Sequence, residues 1–351
     1  MAKPVATLHH ASRTGRGESV AAIERRSGLS YREFEREYLR PRRPVIITDA
    51  LEPCAARSRW TPQYFRERFG DRAVHTDSGE MTVADLIDRV LDPAAAPPFL
   101  RERPIPWLLP ELLADLAPFP VYGRPNWLEY PFAPWPFLPS GFAGWPTRLA
   151  QTDLNLTGAN VRFPVLHLDR FHCHALILQW YGRKEFFTFA PGETDKLYPN
   201  ADGDVSAIDD VEHPDLERFP LFAQAKMLRF TLAPGEMLFN PTGWWHSTRT
   251  LDVSIATVVS FGNASNWAAM VRRMWPRGWK GRLAFAPYAL YLRLLAWRMA
   301  RHRFADPASI ETARAAERHY RRCIDALGPG RSAAHWGSKP ASPAAAAGES
   351  S

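Results

Sequence analysis

Residues 153–189 read DLNLTGANVRFPVLHLDRFHCHALILQWYGRKEFFTF, and this stretch decides the fold. It consists of short apolar runs separated by turn-forming residues, and the same pattern continues to Phe261. Eight runs of this kind follow one another, at 153–157, 163–169, 175–181, 184–189, 226–232, 236–239, 244–249 and 253–261. Many short strands at such spacing are typical of an all-β sandwich or barrel. The sequence therefore predicts a mainly β core.

Helices and one further strand are predicted before this core. Three pairs of residues mark helix starts: Ser30 with Glu33, Thr61 with Pro62, and Thr82 with Asp85. The first and third pairs have the spacing of a capping box, and the second combines an N-cap with a first-turn proline. Gly70 ends the second helix, and the β-branched run at 45–48 predicts a strand. We therefore predict an N-terminal α/β elaboration of the β core.

The apolar period becomes helical after Asn266, through 283–303 and again over 310–327. Tyr288, Leu292, Leu295 and Trp297 form an apolar stripe there, which fits either simple core packing or a dimer contact. The complete prediction is an α+β fold with a mainly β core and flanking helices.

His167 and Asp169 stand two positions apart in one of the predicted strands. Residues i and i+2 of a strand project from the same face, so both point into the core while Leu166 and Leu168 pack on the other side. His246, which ends the run Pro-Thr-Gly-Trp-Trp-His, lies on a later strand that the fold can bring beside them. Two imidazoles and one carboxylate are the metal ligands of non-haem Fe(II) oxygenases. These three residues are the predicted metal ligands and catalytic residues.

His172 and His174 are competing candidates, because they also share one face of an extended segment. Their spacing is similar to a metal motif of cupins. That motif continues with a nearby Glu, whereas Glu185 stands 11 residues beyond His174. We therefore predict that these two histidines are structural or lie at a pocket rim.

Lys184 shares one face of its predicted strand with Phe186 and Thr188. A lysine on an inward face needs an anionic partner, because an unpaired buried ammonium is unfavourable. A bound dicarboxylate supplies such a partner, and Thr188 is a further candidate contact for it. Strand parity alone also allows the reverse orientation, with Lys184 in solvent and Glu185 inside.

Several motifs occur in a fixed order along the chain: RPVIIT (43–48), WTPQY (60–64), HLD (167–169), QWYGRK (179–184), LYP (197–199), PDLERFP (214–220), PGE (234–236) and WWH (244–246). With these motifs the chain resembles the JmjC and cupin-like (cupin_8-type) Fe(II)/2-oxoglutarate-dependent oxygenases, especially their small hydroxylase-type branch. The resemblance runs from about Tyr31 to about Asn266.

The resemblance implies a double-stranded β-helix, or jelly-roll, core. It implies that His167, Asp169 and His246 bind Fe(II) and that Lys184 pairs with the distal carboxylate of 2-oxoglutarate. The implied activity is that of a dioxygenase, which uses O2 and 2-oxoglutarate to hydroxylate a side chain of a protein or peptide. Succinate and CO2 are the co-products.

The chain departs from the family pattern at several positions. Pro164 stands three residues before the first ligand, where members often carry a hydroxyl. The segment 169–184 is about two residues longer than in familiar members, and His174 or Ala175 replaces an Asn. Ser260 stands where some members have the Asn of Val-Asn-Phe-Trp, and it is a candidate co-substrate contact because it still donates a hydrogen bond.

These departures keep two other functions open. One is a non-catalytic cupin-like binding module, in which the three ligands persist but the pocket no longer holds 2-oxoglutarate. The other is a cupin metalloenzyme that does not use 2-oxoglutarate and binds its metal through His172 and His174.

The expected organisation follows from these motifs and from composition. Residues 1–27 and 328–351 are polar or rich in small residues and are predicted to be disordered. The JmjC and cupin-like domain is placed at 28–266, with its β-helix core at about 118–266. A basic helical segment follows at 267–327.

The number of cysteines and the hydropathy of the chain indicate its cellular compartment. The three cysteines are few and far apart, which does not suggest a disulfide framework or a cysteine-based zinc site. The N-terminus has no continuous apolar h-region, and no stretch of about 18 apolar residues occurs. We therefore expect a cytoplasmic protein without a membrane span.

The net charge of +7 is unevenly distributed. Residues 272–325 contain 13 Arg and Lys against four acids. Such a segment can attract nucleic acid, an anionic membrane surface or an acidic protein, although a solvated helix face is the commoner explanation. Nucleic acid is therefore a partner that the sequence allows but does not favour.

Overall fold

The computed structural model describes residues 22–124, 126–129, 152–276 and 278–300. Its strands are β1 (Glu24–Arg26), β2 (Val45–Ile47), β3 (Ala73–Thr76), β4 (Gly79–Thr82), β5 (Leu100–Pro104), β6 (Thr152–Thr157), β7 (His174–Tyr181), β8 (Lys184–Phe189), β9 (Met227–Leu232), β10 (Met237–Asn240), β11 (Trp245–Thr250) and β12 (Ser254–Phe261). The α-helices are α1 (Tyr31–Phe34), α2 (Ala56–Arg59), α3 (Pro62–Phe69), α4 (Val83–Leu91), α5 (Ile105–Leu108), α6 (Trp267–Arg273) and α7 (Trp279–Ala300).

Shorter helical turns fill several connections. A π-helical turn at Glu35–Leu39 continues α1. The 3₁₀ turns are Pro110–Leu116, Val121–Gly123, Trp127–Glu129, Arg170–His172, Pro191–Leu197 and Pro220–Gln224.

Two sheets build the core. The larger has the strand order β1-β2-β10-β7-β12-β6-β5, and the smaller has the order β11-β8-β9. Side chains from both sheets line one cavity, among them Ile177 and Val258 of the larger sheet and Phe186 and Thr248 of the smaller. The two sheets therefore enclose the cavity between them, and the predicted jelly-roll core with flanking helices is confirmed.

Seven of the eight predicted core strands occur with nearly the predicted bounds. The segment 163–169 is the exception, because it forms isolated bridges instead of a regular strand. Its Phe163 N–H donates to the Thr248 carbonyl and its His167 N–H to the His246 carbonyl. Three residues, 164–166, thus lie between the two bonds on one side, and only Ser247 lies between them on the other. Pro164 has no N–H to contribute to a ladder, which explains why this segment bulges.

The N-terminal region contributes more to the core than predicted. Residues 24–26, assigned to the disordered segment 1–27, form β1 and pair in parallel with β2. Strand β5 pairs with β6 in the same sheet. The predicted core boundary at about 118 is therefore wrong for this sheet, because strands β1, β2 and β5 precede it. These pairings are non-local and leave little trace in a local pattern.

The predicted helix starts are confirmed. Ser30 and Thr82 each accept a hydrogen bond from the backbone N–H three residues later, and Glu33 and Asp85 return the bond to complete capping boxes. Thr61 caps α3, and this helix ends at Gly70.

The C-terminal helix α7 packs on α6 through one face only. Tyr288 and Leu292 are buried in this contact, whereas Trp297 is 55% exposed. The predicted helix at 310–327, the tail at 328–351 that was predicted to be disordered, and residues 301–327 of the basic segment lie outside the described residues. A homodimer and nucleic-acid binding through this segment stay predictions. Among the helices described, none has the length and apolar character needed to cross a membrane.

Gly182 joins β7 to β8 and carries the chain from the larger sheet to the smaller. Its φ is +66°, and a Cβ at this position would overlap the carbonyl oxygen of Val253. We expect Gly182→Ala to lower the free energy of unfolding by more than about 3 kcal/mol, because backbone strain and overlap combine. Urea denaturation measures this loss. Gly203→Ala is the matched control, since Gly203 has a φ of +72° and no atom within 4 Å of its added Cβ. Equal losses in the two variants would contradict the role of the overlap.

Candidate metal centre

His167, Asp169 and His246 meet in the cavity between the sheets. One ligand atom of each lies within 4.8 Å of those of the other two, and no second group of at least three metal-ligating side chains occurs among the described residues. The three residues that the sequence predicted as ligands are thus brought together. Two nitrogen atoms and one carboxylate oxygen are a donor set suited to a divalent transition metal.

Reciprocal backbone hydrogen bonds hold the two histidines side by side. The His167 N–H donates to the His246 carbonyl at 3.0 Å, and the His246 N–H donates to the His167 carbonyl at 2.9 Å. The ring centroids are 4.3 Å apart. Leu166 and Leu168 are buried in a separate apolar cluster, so the predicted alternation of faces is present although the strand is irregular.

The His167 imidazole is set up to coordinate through Nε2. Its Nδ1 lies 3.2 Å from the Val165 carbonyl oxygen, whereas His246 Nδ1 lies 3.4 Å from the Trp244 carbonyl oxygen and 3.3 Å from the amide nitrogen of Asn240. A ring whose Nδ1–H faces a carbonyl keeps Nε2 free for a metal. Burial lowers the pKa of each histidine to about 4. At neutral pH both rings are therefore uncharged, the form that binds a metal.

Asp169 is held by a buried amide. Burial raises the pKa of its carboxyl group, whereas His167 and a hydrogen bond from Asn240 favour the charged form. Asn240 Nδ2 donates to Asp169 Oδ2 at 2.8 Å and lies 3.3 Å from His246 Nδ1. Asn240 therefore contacts two of the three ligands and fixes the carboxylate relative to the imidazole.

We expect Asn240→Ala to weaken metal binding by about 10- to 100-fold, as is typical when a residue that orients metal ligands is lost. Anaerobic titration with Fe(II) measures this effect. Asn126→Ala is a matched control, because Asn126 is equally buried and also makes several hydrogen bonds, but to backbone groups of Ser260, Leu128 and Gly262. An equal loss of Fe(II) affinity in both variants would show that general destabilisation, and not ligand orientation, is the cause.

Lys184 lines the same cavity as the three ligands. Its side chain is buried, and its ammonium has no hydrogen bond or ion pair among the residues that the structure describes. Burial lowers the pKa of Lys184 to about 8. Glu185 points to the other face, where Arg229 and Arg249 donate to it at 2.6 and 2.8 Å. The inward orientation predicted for Lys184 is therefore the correct one.

Comparison with known proteins agrees with this geometry. Residues 156–266 match the family described as a cupin-like domain. The chain is 29% identical over 262 residues to lysine-specific demethylase 8 of Xenopus tropicalis. The aligned region is 70% of this chain and 53% of that protein. It is 27% identical over 261 residues to lysine-specific demethylase JMJ30 of Arabidopsis thaliana. The aligned region is 68% of this chain and 54% of that protein. Residues 156–266 are thus a cupin-like domain, and the chain is similar to two lysine-specific demethylases over about 70% of its length.

A third relative matches a shorter part of the chain. HSPB1-associated protein 1 of Rattus norvegicus is 35% identical over 122 residues, which is 34% of this chain and 25% of that protein. The chain thus spans about half the length of the two demethylases and a quarter of this relative.

Two other predicted co-substrate contacts of the cupin-like domain lie next to the cavity and do not line it. Thr188 is the strand partner of His246, and its hydroxyl donates to the Leu228 carbonyl at 3.4 Å. Ser260 follows the cavity residue Val258 by two positions on β12, and its carbonyl accepts from an amide. Their role as co-substrate contacts stays a prediction.

His172 and His174 are not metal ligands of this cupin-like domain. His174 is fully buried, with Nε2 2.8 Å from Ser265 Oγ and Nδ1 accepting the Thr242 N–H at 3.1 Å. Because both of its ring nitrogens are used, His174 has none left for a metal, and the arrangement in which His172 and His174 hold the metal together is not supported. His174 has the predicted structural role, whereas His172 lines a different cavity from the three ligands.

Seven residues that line the cavity were not predicted from the sequence: Phe99, Glu102, Asn155, Phe163, Ile177, Thr248 and Val258. The Phe163 ring stacks on His167 with centroids 4.8 Å apart. Glu102 has a left-handed φ of +49°, and its N–H donates to Asn155 Oδ1 at 3.1 Å. Phe163 belongs to a predicted strand and lies four positions before His167, so the two side chains share one face. Its place in the cavity could therefore have been predicted from strand alternation. Phe99 and Glu102 come from a Pro-rich stretch without a regular pattern.

Proposed function

We propose that this chain is an Fe(II)- and 2-oxoglutarate-dependent oxygenase that hydroxylates a side chain of a protein or peptide. One observation carries the proposal: two imidazoles and one carboxylate converge in a cavity that also holds a buried lysine without a partner among the described residues. A metal ion would bind the two imidazoles and the carboxylate, and a bound dicarboxylate would pair with the lysine. The match of residues 156–266 to a cupin-like domain and the similarity to two lysine-specific demethylases support the same chemistry.

Each residue has a defined role under this proposal. His167, Asp169 and His246 hold the metal through one face, and Asn240 keeps Asp169 oriented. Lys184 neutralises the distal carboxylate of 2-oxoglutarate. Fe(II) and 2-oxoglutarate, when bound, supply the oxidising chemistry for O2-dependent hydroxylation, with succinate and CO2 as co-products.

The walls of the cavity are suited to excluding water. Phe163, Ile177, Phe186 and Val258 present apolar surface around the ligands and Lys184. An apolar wall strengthens the pairing of Lys184 with a carboxylate, because the interaction of two charges grows as the local dielectric constant falls.

The decisive experiment is an anaerobic titration of the full chain with Fe(II) and 2-oxoglutarate, followed by visible absorbance. A metal-to-ligand charge-transfer band reports both bound groups at once. We expect the band in the native chain and in His75→Ala, a control in which an exposed histidine of β3 is removed. We expect no band in His246→Ala. Absence of the band from the native chain would refute the proposal.

A non-catalytic binding module is the second candidate, and two observations favour it. The Phe163 ring is stacked on His167, and Pro164 occupies the position where related enzymes often carry a hydroxyl. Under this alternative the chain binds Fe(II) with an affinity that depends on His246, but forms no succinate from 2-oxoglutarate in air.

Binding of 2-oxoglutarate is expected to weaken as the pH rises above about 8, because burial lowers the pKa of Lys184 to that value. Below this pH the side chain is cationic and attracts a carboxylate. Above it the charge is lost, and the dissociation constant rises by up to about tenfold per pH unit. The charge-transfer titration at several pH values measures this dependence. Lys184→Arg is the control, since an arginine stays charged, and an equal pH dependence in that variant would exclude Lys184 as the cause.

A further inference from the structure

A second cavity, separate from the metal site, carries a concentration of positive charge. It is a cleft of about 440 Å³ between α6, the turn after β10 and the turn Arg170–His172. Arg42, His172, Arg272 and Arg273 line it, and no carboxylate does so within the described part of the chain. We call it the arginine cleft.

Two of the three guanidinium groups have no acidic partner among the residues that the structure describes. Arg273 pairs with Asp204 at 3.0 Å. In the described ranges Arg42 and Arg272 form no ion pair, and Arg42 donates only to a neutral group, the Ser265 carbonyl, at 3.0 Å. The pKa of His172 is lowered by burial and then by Arg273, Arg272 and Arg42, which places all three charges near one ring. Asp204 therefore neutralises Arg273, whereas the positive charges of Arg42 and Arg272 have no carboxylate partner in the described part of the chain.

The cleft also contains a buried hydroxyl without a partner. Thr242 lines it and is 3% exposed, and its Oγ1 makes no hydrogen bond within the described residues. A buried hydroxyl in this state is unfavourable by about 1–3 kcal/mol unless a ligand or water supplies the bond. Gly243 follows it with a φ of +88° and has no side chain to fill the space. The floor of the cleft thus offers a hydrogen bond to an incoming group.

We propose that the arginine cleft binds a phosphate monoester group. Planar guanidinium groups bind the oxygen atoms of phosphate in a bidentate manner, and several positive charges favour a dianion over a single carboxylate. The hydroxyl of Thr242 supplies a further hydrogen bond to a phosphate oxygen. The site is a cleft and not a long basic groove, so it fits one phosphate group better than a nucleic-acid backbone.

The arginine cleft is distinct from the proposed 2-oxoglutarate site but is built on the same framework. The Thr242 N–H donates to His174 Nδ1 at 3.1 Å, and His174 begins β7. Asn240, which holds Asp169, stands two residues before Thr242. The phosphate site needs no bound metal, so its test is independent of the oxygenase proposal.

The test is a titration of the full chain with inorganic phosphate, followed by calorimetry and by ³¹P NMR line width. We expect saturable binding that is weakened at least about tenfold in Arg42→Gln/Arg272→Gln, because each lost charged hydrogen bond contributes about 1.5–3 kcal/mol. Thr242→Val should weaken binding to a smaller extent. Thermal unfolding of each variant verifies that it is folded.

Two control variants distinguish a specific phosphate site from nonspecific electrostatic attraction. Arg66→Gln/Arg183→Gln removes the same charge at surface ion pairs with Asp88 and Asp252, which contribute little to stability. Lys184→Met removes the buried cation of the metal cavity. Both controls should bind phosphate as the native chain does. The proposal is overturned if the native chain shows no saturable binding, if the Arg66 and Arg183 variant loses as much affinity, or if Lys184→Met abolishes binding.

Competition identifies the source of the phosphate group. Displacement of inorganic phosphate by a phosphoserine tripeptide, but not by its serine counterpart, supports a phosphorylated protein segment as the ligand. Displacement by phosphoethanolamine alone supports a small phosphate ester. Equally good displacement by dimethyl phosphate, a monoanionic diester that resembles a nucleic-acid linkage, would contradict the monoester proposal.

Discussion

Replacing His246 with alanine is expected to weaken Fe(II) binding by more than about 100-fold, beyond the loss typical of residues that only orient ligands. The reason is that one of only two nitrogen donors disappears from a three-residue site. Succinate formation from 2-oxoglutarate should fall below detection in the same variant. Anaerobic Fe(II) titration and a succinate assay measure the two effects.

Controls for this variant address folding. His246 is buried in β11, so its removal also leaves a small cavity beside Asn240. Circular dichroism should show a folded chain, and His75→Ala should keep both Fe(II) affinity and succinate formation. Native-like Fe(II) affinity in folded His246→Ala would refute the assignment of this histidine as a ligand.

Replacing Lys184 with methionine is expected to weaken 2-oxoglutarate binding by about 10²- to 4 × 10³-fold, because losing one partner of a buried charge pair typically removes about 3–5 kcal/mol. Fe(II) affinity should be nearly unchanged, since Lys184 is not among the grouped metal-ligating side chains. The charge-transfer titration measures the first quantity and an Fe(II) titration without 2-oxoglutarate measures the second.

The same substitution should stabilise the chain in the absence of 2-oxoglutarate. Burial lowers the pKa of Lys184 to about 8, which means that the folded protein holds a charge in an unfavourable place. Methionine of similar volume removes that penalty, so we expect a higher melting temperature together with weaker 2-oxoglutarate binding. Lys280→Met on exposed α7 should change neither property. A lower melting temperature in Lys184→Met would argue for a structural role of the lysine.

The core strands and the metal ligands were predictable because they depend on local alternation. His167 and Asp169 face the cavity while Leu166 and Leu168 face away, as a two-residue period requires, even though Pro164 keeps the segment from forming a regular strand. The capping residues were predictable for a similar reason, since a cap involves side chains only three residues apart.

The features that the sequence did not indicate depend on contacts between distant segments. Asn240 donates to Asp169, which is 71 positions away in the chain. A single Asn at the end of a strand forms no sequence pattern from which this contact could be predicted. Strand β1 is three residues long and exists through its pairing with β2. The arginine cleft joins Arg42 to Arg272, and only the folded chain places them together.

The backbone bonding of His167 has a consequence for metal-free protein. The ligand-bearing segment pairs with His246 on one side and with Val205 on the other. The amide proton of His167 is donated to the His246 carbonyl, and that of His246 to the His167 carbonyl. Slow exchange of these protons with deuterated solvent is expected even after chelation, since opening requires the loss of several bonds at once. We therefore expect the site to keep its shape without a metal, so that Fe(II) added after chelation binds without refolding.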